Sequence, residues 1–352
     1  MTYIIITAEK NCDRNMLRNE ISNITETAKL KIMDAVIYTK LILILFSSNF
    51  LDINNATPRN FQLEFPCAKF YKKGELRIDC SHKNLRYIPN LPSNTVYLNL
   101  QHNLIIQIPN NTFEHMTDLK VLDLSFNKLQ SMNDQTFNGL GNLKHLKLNK
   151  NKLTGEMLNK SFKYMTCLTH LDLSFNMLQR INEQTFIGLQ NLQNLQLNNN
   201  ILYYSILNFP PGSFKPLESL TRLSFQKNNF KPKIIPDRTT VFPDKTISDF
   251  KMLEILELDI NTGSGDKAIF GKGFSSLKNL YLLKASYCET FILESDTFQY
   301  TPNLTHVYFN HCSLKVYRKH DEFSKLMKLK VLQLNGWYHI IQIYMKMRHC
   351  LL

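Results

Sequence analysis

Histidines and acidic residues are the side chains of this sequence that could do acid–base or metal chemistry. His145, His170 and His306 occupy the same place in three similar segments, so their spacing reflects a repeat rather than a cluster of ligands. No HExxH, GxSxG, P-loop or CxxC motif occurs in the 352 residues. The neighbouring carboxylates Asp321 and Glu322 lie in a polar stretch typical of a solvated surface. The sequence therefore predicts a protein that is not an enzyme and needs no cofactor or metal.

The cysteines predict one structural disulfide. Cys67 and Cys80 bracket a short segment ahead of the first repeat, and a disulfide-closed segment there fits an oxidising compartment. Cys288 and Cys312 hold the same repeat position in neighbouring segments. They are either disulfide-bonded or two small buried thiols, and the thiol interpretation is preferred. Cys167, just before a repeat, is interpreted as a free thiol.

N-glycosylation sequons fit the same compartment, because this modification occurs in secreted chains. Besides one at Asn23, the candidate acceptors are Asn55, Asn110, Asn159 and Asn303. The last of these lies at the start of a predicted strand, which makes it the weakest candidate.

One repeat positions all of these side chains. The frame L-x-x-L-x-L-x-x-N-x-L occurs ten times, and we call each copy a coil. The coils begin at Thr95, Leu119, Leu143, Leu168, Leu192, Leu220, Leu253, Leu280, Leu304 and Leu329. Their spacings are 24, 24, 25, 24, 28, 33, 27, 24 and 25 residues. A period of this length predicts a curved α/β solenoid, a leucine-rich repeat horseshoe with a parallel concave sheet.

Each position of the frame has a physical role. Leucines at positions 1, 4 and 6 alternate about a short strand and point inwards. Asparagine at position 9 can satisfy backbone groups that the following turn buries. This asparagine ladder comprises Asn103, Asn127, Asn151, Asn176, Asn200, Asn228 and Asn261. Phenylalanines in the second half of several coils are expected to fill the core from the convex side.

Positions 2, 3, 5, 7 and 8 are expected to face solvent on the concave side, where a ligand would bind. They place basic and tyrosine side chains in two groups. The candidate ligand face comprises Lys144, Lys147, Lys150, Tyr281, Lys284, Tyr287 and Tyr308. Coil seven instead presents Glu254, Glu257 and Asp259. The face could hold an anionic polymer such as nucleic acid or glycan; the alternative is a solvated surface with incidental aromatic rings.

Charge and hydropathy are unevenly distributed. The chain has 42 Lys and Arg against 29 Asp and Glu, a net charge of +13, which falls entirely after residue 66. A short apolar run, Leu41–Phe46, follows Lys40 and is too short to span a bilayer, so it is interpreted as a signal peptide. Residues 33–48 form that signal, with residues 1–32 an upstream extension of the gene and 49–64 a leader.

The segment before the coils resembles the N-terminal cap of Toll-like receptors. It reads Phe65-Pro66-Cys67, then Ile78-Asp79-Cys80-Ser81, then Leu85-x-x-Ile88-Pro89-x-Leu91-Pro92. Coils with Phe in their variable half, interrupted by longer irregular coils, are similar to that family's ectodomain too. Secreted and cell-surface leucine-rich repeat proteins of the adhesion and matrix types share the same features.

The resemblance implies a cap over 65–94, repeats over 95–339 and an irregular, truncated tail over 340–352. It implies an innate immune receptor that binds a microbial or endogenous macromolecule and pairs with a second receptor chain. Such an ectodomain works outside the cell or in the endosomal lumen, membrane-anchored in its full-length form. The family's C-terminal cap, membrane span and signalling domain are not found in the sequence. The final coil is therefore expected to present an uncovered edge that favours self-association.

Overall fold

The structure is a computed structural model. It describes residues 65–130, 132–228, 242–259, 270–286, 291–293, 296–312, 314–316 and 323–335. All of them belong to the unit Phe65–Leu352, which is described by itself. The candidate signal segment, Asn55, Asn261, Tyr287 and Cys288 lie outside the described residues.

Short strands alternate with turns, because each coil can bury only a few apolar side chains before it must reverse. The strands are β1 Ala68–Lys72, β2 Glu75–Asp79, β3 Thr95–Asn99, β4 Val121–Asp123, β5 His145–Lys147, β6 His170–Asp172, β7 Asn194–Gln196, β8 Arg222–Ser224, β9 Ile255–Asp259, β10 Leu282–Ser286, β11 Phe291–Leu293, β12 His306–Asn310, β13 Leu314–Val316 and β14 Val331–Asn335. Helical structure in the described residues consists of α1 (Asp244–Ile247) and two 3-10 turns, Glu156–Leu158 and Lys272–Ser276.

The sheet confirms the predicted leucine-rich repeat solenoid. Twelve strands follow the order β1 to β10, then β12 and β14, so that each of the ten coils contributes one parallel strand. Leu122, Leu146, Leu171 and Leu195 are register partners on successive strands, and all four are buried. The position-4 leucines thus line one continuous core, as the period predicts.

Phenylalanines close the other side of that core. Phe113, Phe137, Phe162 and Phe186 are fully buried in the variable halves of successive coils. The ring centroids of Phe113 and Phe137 lie 6.3 Å apart, and those of Phe137 and Phe162 lie 6.2 Å apart, both stacked. Aromatic stacking therefore repeats with the coil and adds to the hydrophobic burial.

The asparagines at position 9 join each coil to the one before it. The amide of Asn127 donates to the carbonyl oxygens of Leu124 (3.1 Å) in its own coil and Leu100 (2.9 Å) in the preceding coil. Its side-chain oxygen accepts the backbone N–H of Ile105 at 3.1 Å. Asn151 and Asn176 make the same three bonds. One side chain thus pairs three buried backbone groups that the turn leaves without partners.

A disulfide-closed cap covers the first coil. β1 and β2 form an antiparallel hairpin, and Lys73 and Gly74 at its turn have φ of 53° and 80°. The Cys67–Cys80 disulfide joins the two ends of this hairpin, whose Cα atoms lie 4.4 Å apart. Leu76 and Ile78 of β2 are buried against the core that begins at Leu98. The cap therefore shields leucines that the open end of the solenoid would expose.

The longer coils contain an aromatic cluster that the repeat frame does not predict. Tyr204, Phe209, Phe225 and Phe242 lie within 5.1–6.3 Å of one another, measured between ring centroids. The Tyr204 hydroxyl donates to the carbonyl of Phe225 and accepts the N–H of Asp259, both at 3.2 Å. Extra residues in these coils thus fill the core with rings where leucine spacing is interrupted.

The asparagine ladder yields the first testable prediction. Asn151→Ala leaves the N–H of Leu129 and the carbonyls of Leu124 and Leu148 buried without that amide, so we expect the free energy of unfolding to fall by roughly 3 kcal/mol or more. Asn149→Ala is the matched control, since the Asn149 side chain makes no hydrogen bond within the described residues. Urea unfolding of both variants measures the difference. Equal destabilisation would contradict the role given to Asn151.

Candidate ligand-binding face

The concave face carries charges that compensate one another along the strands. Lys147, at position 5 of coil three, pairs with Asp123 at position 5 of coil two, with Nζ 3.0 Å from Oδ2. The hydrogen bond to Asp123 raises the pKa of Lys147, so the ammonium stays charged. Asp172 occupies position 5 of coil four, on the other side. Register between parallel strands thus sets a lysine between two aspartates.

Position 8 forms a column of exposed and half-buried side chains with left-handed backbone. The φ angles lie between 52° and 59° at His82 in the cap and at position 8 of the coils, namely His102, Phe126, Lys150, Phe175, Asn199, Lys227 and His311. The rings of His82 and His102 stack at 4.3 Å, and His102 stacks on Phe126 at 4.0 Å. Nζ of Lys150 lies 4.5 Å from the Phe126 ring and 5.0 Å from that of Phe175. The chain turns here before each ladder asparagine, which projects the position-8 side chains into one row.

The three lysines of coil three therefore differ in how they are held. Lys147 is ion-paired, and Lys150 rests between two aromatic rings. Lys144 is exposed and has no ion pair or ring contact in the described residues. These lysines share the concave side of one coil, but two of the three ammonium groups already interact with side chains of the protein.

The predicted tyrosine group lies on coils eight and nine. Tyr281 meets His306 edge to face at 6.3 Å, and His306 stacks with Tyr308 at 6.5 Å. Lys284 is the register partner of Tyr308 on the neighbouring strand, and its ammonium bonds Glu257 of coil seven at 3.0 Å. The structure therefore brings Tyr281 and Tyr308 together around a histidine, with Lys284 next to Tyr308 but ion-paired to coil seven.

Coil seven does not present the acidic surface that its sequence predicts. Glu257 is paired by Arg222 at 2.7 Å and by Lys284 at 3.0 Å. Burial alone would raise the pKa of Glu257, but the two cations outweigh it and the pKa is lowered. Asp259 is buried rather than solvent-facing, because its carboxylate accepts the N–H of Asn228 at 3.1 Å. The expectation that position 7 faces solvent is wrong at this coil, and also at Ser125, Ser174 and Ser286, which are buried.

His145 and His170 form a pair across adjacent strands. Their ring centroids lie 4.4 Å apart, and the two rings border a cavity of about 170 Å³ with Lys147, Asp172 and Asn194. Burial, together with the neighbouring His170 and lysine charges, lowers the pKa of His145. Within the described part of the chain, no group of three or more His, Cys, Asp or Glu side chains could hold a metal ion.

The remaining cysteines divide into one free thiol and one bonded residue. Cys167 is exposed and free. Cys312 is buried and disulfide-bonded, so the preferred interpretation of Cys312 as a small thiol is wrong. Neighbouring strands of the sheet are about 4.8 Å apart, a spacing that allows a disulfide between position-9 side chains. A disulfide at Cys312 is therefore compatible with the repeat register.

The three sequon asparagines in the described residues differ in the exposure and hydrogen bonds of their side chains. Asn110 is exposed, and its side-chain oxygen accepts a bond from Asn133 at 2.8 Å. The side-chain oxygen of Asn159 is buried without a partner among the described residues. The Nδ2 of Asn303, the atom that would carry a glycan, donates to the carbonyl of Lys278 at 3.1 Å. Asn110 is therefore the most available of the three acceptors.

The fold and this face define a leucine-rich repeat protein, a class typical of macromolecular interaction modules. A family model described as "Leucine rich repeat" matches residues 93–153 and 157–202. Leucine-rich repeat-containing protein 3 of Rattus norvegicus is 40% identical over 60 residues, which is 17% of this chain and 23% of that protein. Toll-like receptor 3 of Mus musculus is 42% identical over 55 residues, 15% of this chain and 6% of that protein.

A solved structure, "Crystal structure of TLR13-ssRNA13 complex", superposes with a TM-score of 0.41 at 20% identity, over 77% of this chain and 50% of that one. The chain spans about a quarter or less of the length of the curated relatives named above. In the described residues no helix is long and apolar enough to cross a membrane.

Asp259 makes the stability of the solenoid depend on pH. Burial raises the pKa of Asp259 to about 7 in the folded protein, whereas an unfolded Asp titrates near ~4. The folded state therefore binds the extra proton, and stability falls as pH rises from ~4 through about 7.

We expect Asp259→Asn, which keeps an acceptor for Asn228, to remove this loss, roughly 2–3 kcal/mol between pH 5 and 8 relative to the unsubstituted protein. Urea unfolding at both pH values measures it, and the exposed Asp118→Asn should keep the original pH dependence. An identical pH dependence with and without Asp259 would contradict the assignment.

Proposed function

We propose that this protein is a ligand-binding ectodomain of a Toll-like pattern-recognition receptor in innate immunity. The observation that carries the proposal is the combination of a disulfide-closed cap with regular coils interrupted by irregular ones between residues 200 and 280. The short stretch of 42% identity to Toll-like receptor 3 supports it. Its ligand is a microbial or endogenous macromolecule, nucleic acid among the candidates, and its partner a second receptor chain.

The surface chemistry supports binding rather than catalysis. A concave face of strands presents rings, amides and lysines over several coils, and a macromolecule can contact many of them at once. The residues of this proposed ligand face include Lys144, Lys147, Lys150, Tyr281, Lys284 and Tyr308, with Tyr287 outside the described residues. We place the protein in the secretory pathway and at the cell surface or endosomal lumen, membrane-anchored in its full-length form.

A second function has its own support. The 40% identical stretch in leucine-rich repeat-containing protein 3 is as long as the stretch shared with the receptor. Because that relative is a leucine-rich repeat protein not named as a Toll-like receptor, we hold a secreted or cell-surface leucine-rich repeat protein of the adhesion or matrix type as the second candidate. A full-length transcript separates the two: a membrane span followed by a Toll/interleukin-1 receptor domain supports the receptor, and a transcript with neither supports the adhesion protein.

Secretion provides a biochemical prediction shared by both functions. Expressed as the full chain in secretory cells, the protein should enter the medium with a glycan at Asn110, because that side chain is exposed. Asn303 should be modified less, since its Nδ2 is bonded to Lys278 in the folded protein. Glycosidase digestion and peptide mass spectrometry measure the occupancy. Asn110→Gln should remove one glycan, and Asn138→Gln, a nearby half-buried amide outside any sequon, should remove none. An unmodified protein retained in the cytosol would contradict an extracellular function.

A further inference from the structure

A polar groove opens on the concave face where the coils become irregular. It is a cavity of about 450 Å³, within the range of roughly 300–1,000 Å³ typical of ligand sites. We call it the amide groove. Its lining includes Asn198, Asn199, Gln226, Glu257, Lys284 and Ser286.

The groove spans coil seven, whose position-7 residue Asp259 is buried and accepts the N–H of Asn228. Gln226 of coil six and Ser286 of coil eight hold the same position on either side and bond each other, with Nε2 2.9 Å from Oγ. Two side chains that are two coils apart thus meet over a recess, and the recess has a fixed polar border.

Internal hydrogen bonds orient the amides at this border. The Oδ1 of Asn198 accepts from the Ser224 hydroxyl and from the N–H of Gln226, both at 2.7 Å. With its oxygen occupied, Asn198 keeps its Nδ2 donors for a ligand. The side-chain amide of Asn199 makes no hydrogen bond within the described residues, so it offers a donor and an acceptor. The site therefore presents both hydrogen-bond donors and a hydrogen-bond acceptor to a ligand.

Around Glu257, at the edge of the groove, the described side chains carry more positive than negative charge. Glu257 accepts from Ser224 at 3.0 Å as well as from Arg222 and Lys284, and the two cations leave one positive charge beyond the carboxylate. Lys227 and His311 also line the cavity. A ligand that carries a carboxylate would meet this surplus, while its neutral parts would meet the amides.

We propose that the amide groove binds a carboxylate-bearing oligosaccharide, an assignment that rests on the proposed ligand-binding function. A sugar hydroxyl both donates and accepts, which matches paired amide groups. Among the described residues, the lining contains no Phe, Tyr or Trp on which a nucleobase could stack. It is also too polar for an apolar ligand, so a hydroxyl-rich anion fits best.

Binding of trigalacturonate to the full chain tests the proposal, with its fully methyl-esterified form as the matched neutral probe. Isothermal titration calorimetry at physiological salt should show the acid binding at least tenfold more tightly than the ester. Lys284→Gln should abolish most of that preference. Asn199→Gly should weaken both probes at least threefold, and it removes the amide without straining a residue whose φ is 52°.

Asn111→Gly is the matched control, because Asn111 also has left-handed backbone, with φ of 60°, and lies away from the groove. It should leave both affinities unchanged. No binding of either probe, equal affinity of acid and ester, or the same loss in Asn111→Gly would overturn the proposal. So would an oligouridylate that binds more tightly than trigalacturonate and loses affinity in Lys284→Gln. If the sugar fails while the chain is still secreted and glycosylated, the groove assignment falls and the ectodomain function stands.

Discussion

The buried turn after each strand is the constraint on which the whole molecule depends. In the seven coils whose position 8 the structure describes, the chain leaves the sheet through a left-handed residue there and then buries backbone groups against its neighbours. A buried unpaired N–H or carbonyl costs about 1–3 kcal/mol, and the repeat would multiply that cost by the number of coils. The asparagine at position 9 removes this cost by pairing three backbone groups at once, one in its own coil and two in the preceding coil. Stacking of coils, and with it the continuous core, follows from this one side chain.

Much of this could be predicted because it repeats. Leu122, Leu146 and Leu171 share one register, and a period in the sequence is enough to place them on one face of one sheet. The disulfide-closed cap was predictable for a related reason, since the first coil has no preceding coil to cover it. Position 8 carried a weaker signal: the frame shows that it precedes the asparagine, but not that its backbone is left-handed or that His102 and Phe126 stack.

The irregular coils could not be predicted, because their contacts join residues that no period relates. Tyr204 bonds Phe225 and Asp259, which come from coils of different lengths. Asp259 looks like a surface acid in the frame, yet its carboxylate accepts the N–H of Asn228, as the Asn228 side chain accepts that of Asn200. The carboxylate is a poorer substitute than an amide, because burial costs it free energy unless it is protonated. The sequence shows that residue 259 is acidic, but whether it is buried depends on how the neighbouring coils pack.

The burial of Asp259 also bears on why binding is proposed in the irregular coils rather than in the lysine-rich third coil. In regular coils, successive strands bring opposite charges face to face, and Lys147 beside Asp123 is already satisfied by the protein itself. A ligand there must break an internal ion pair to gain a new one, so little net affinity results. Where Asp259 withdraws, two cations share the single carboxylate of Glu257, and the amide of Asn199 keeps its hydrogen-bonding capacity. The two sites therefore differ in balance: two cations meet one carboxylate at Glu257, whereas one lysine lies between two aspartates at Lys147.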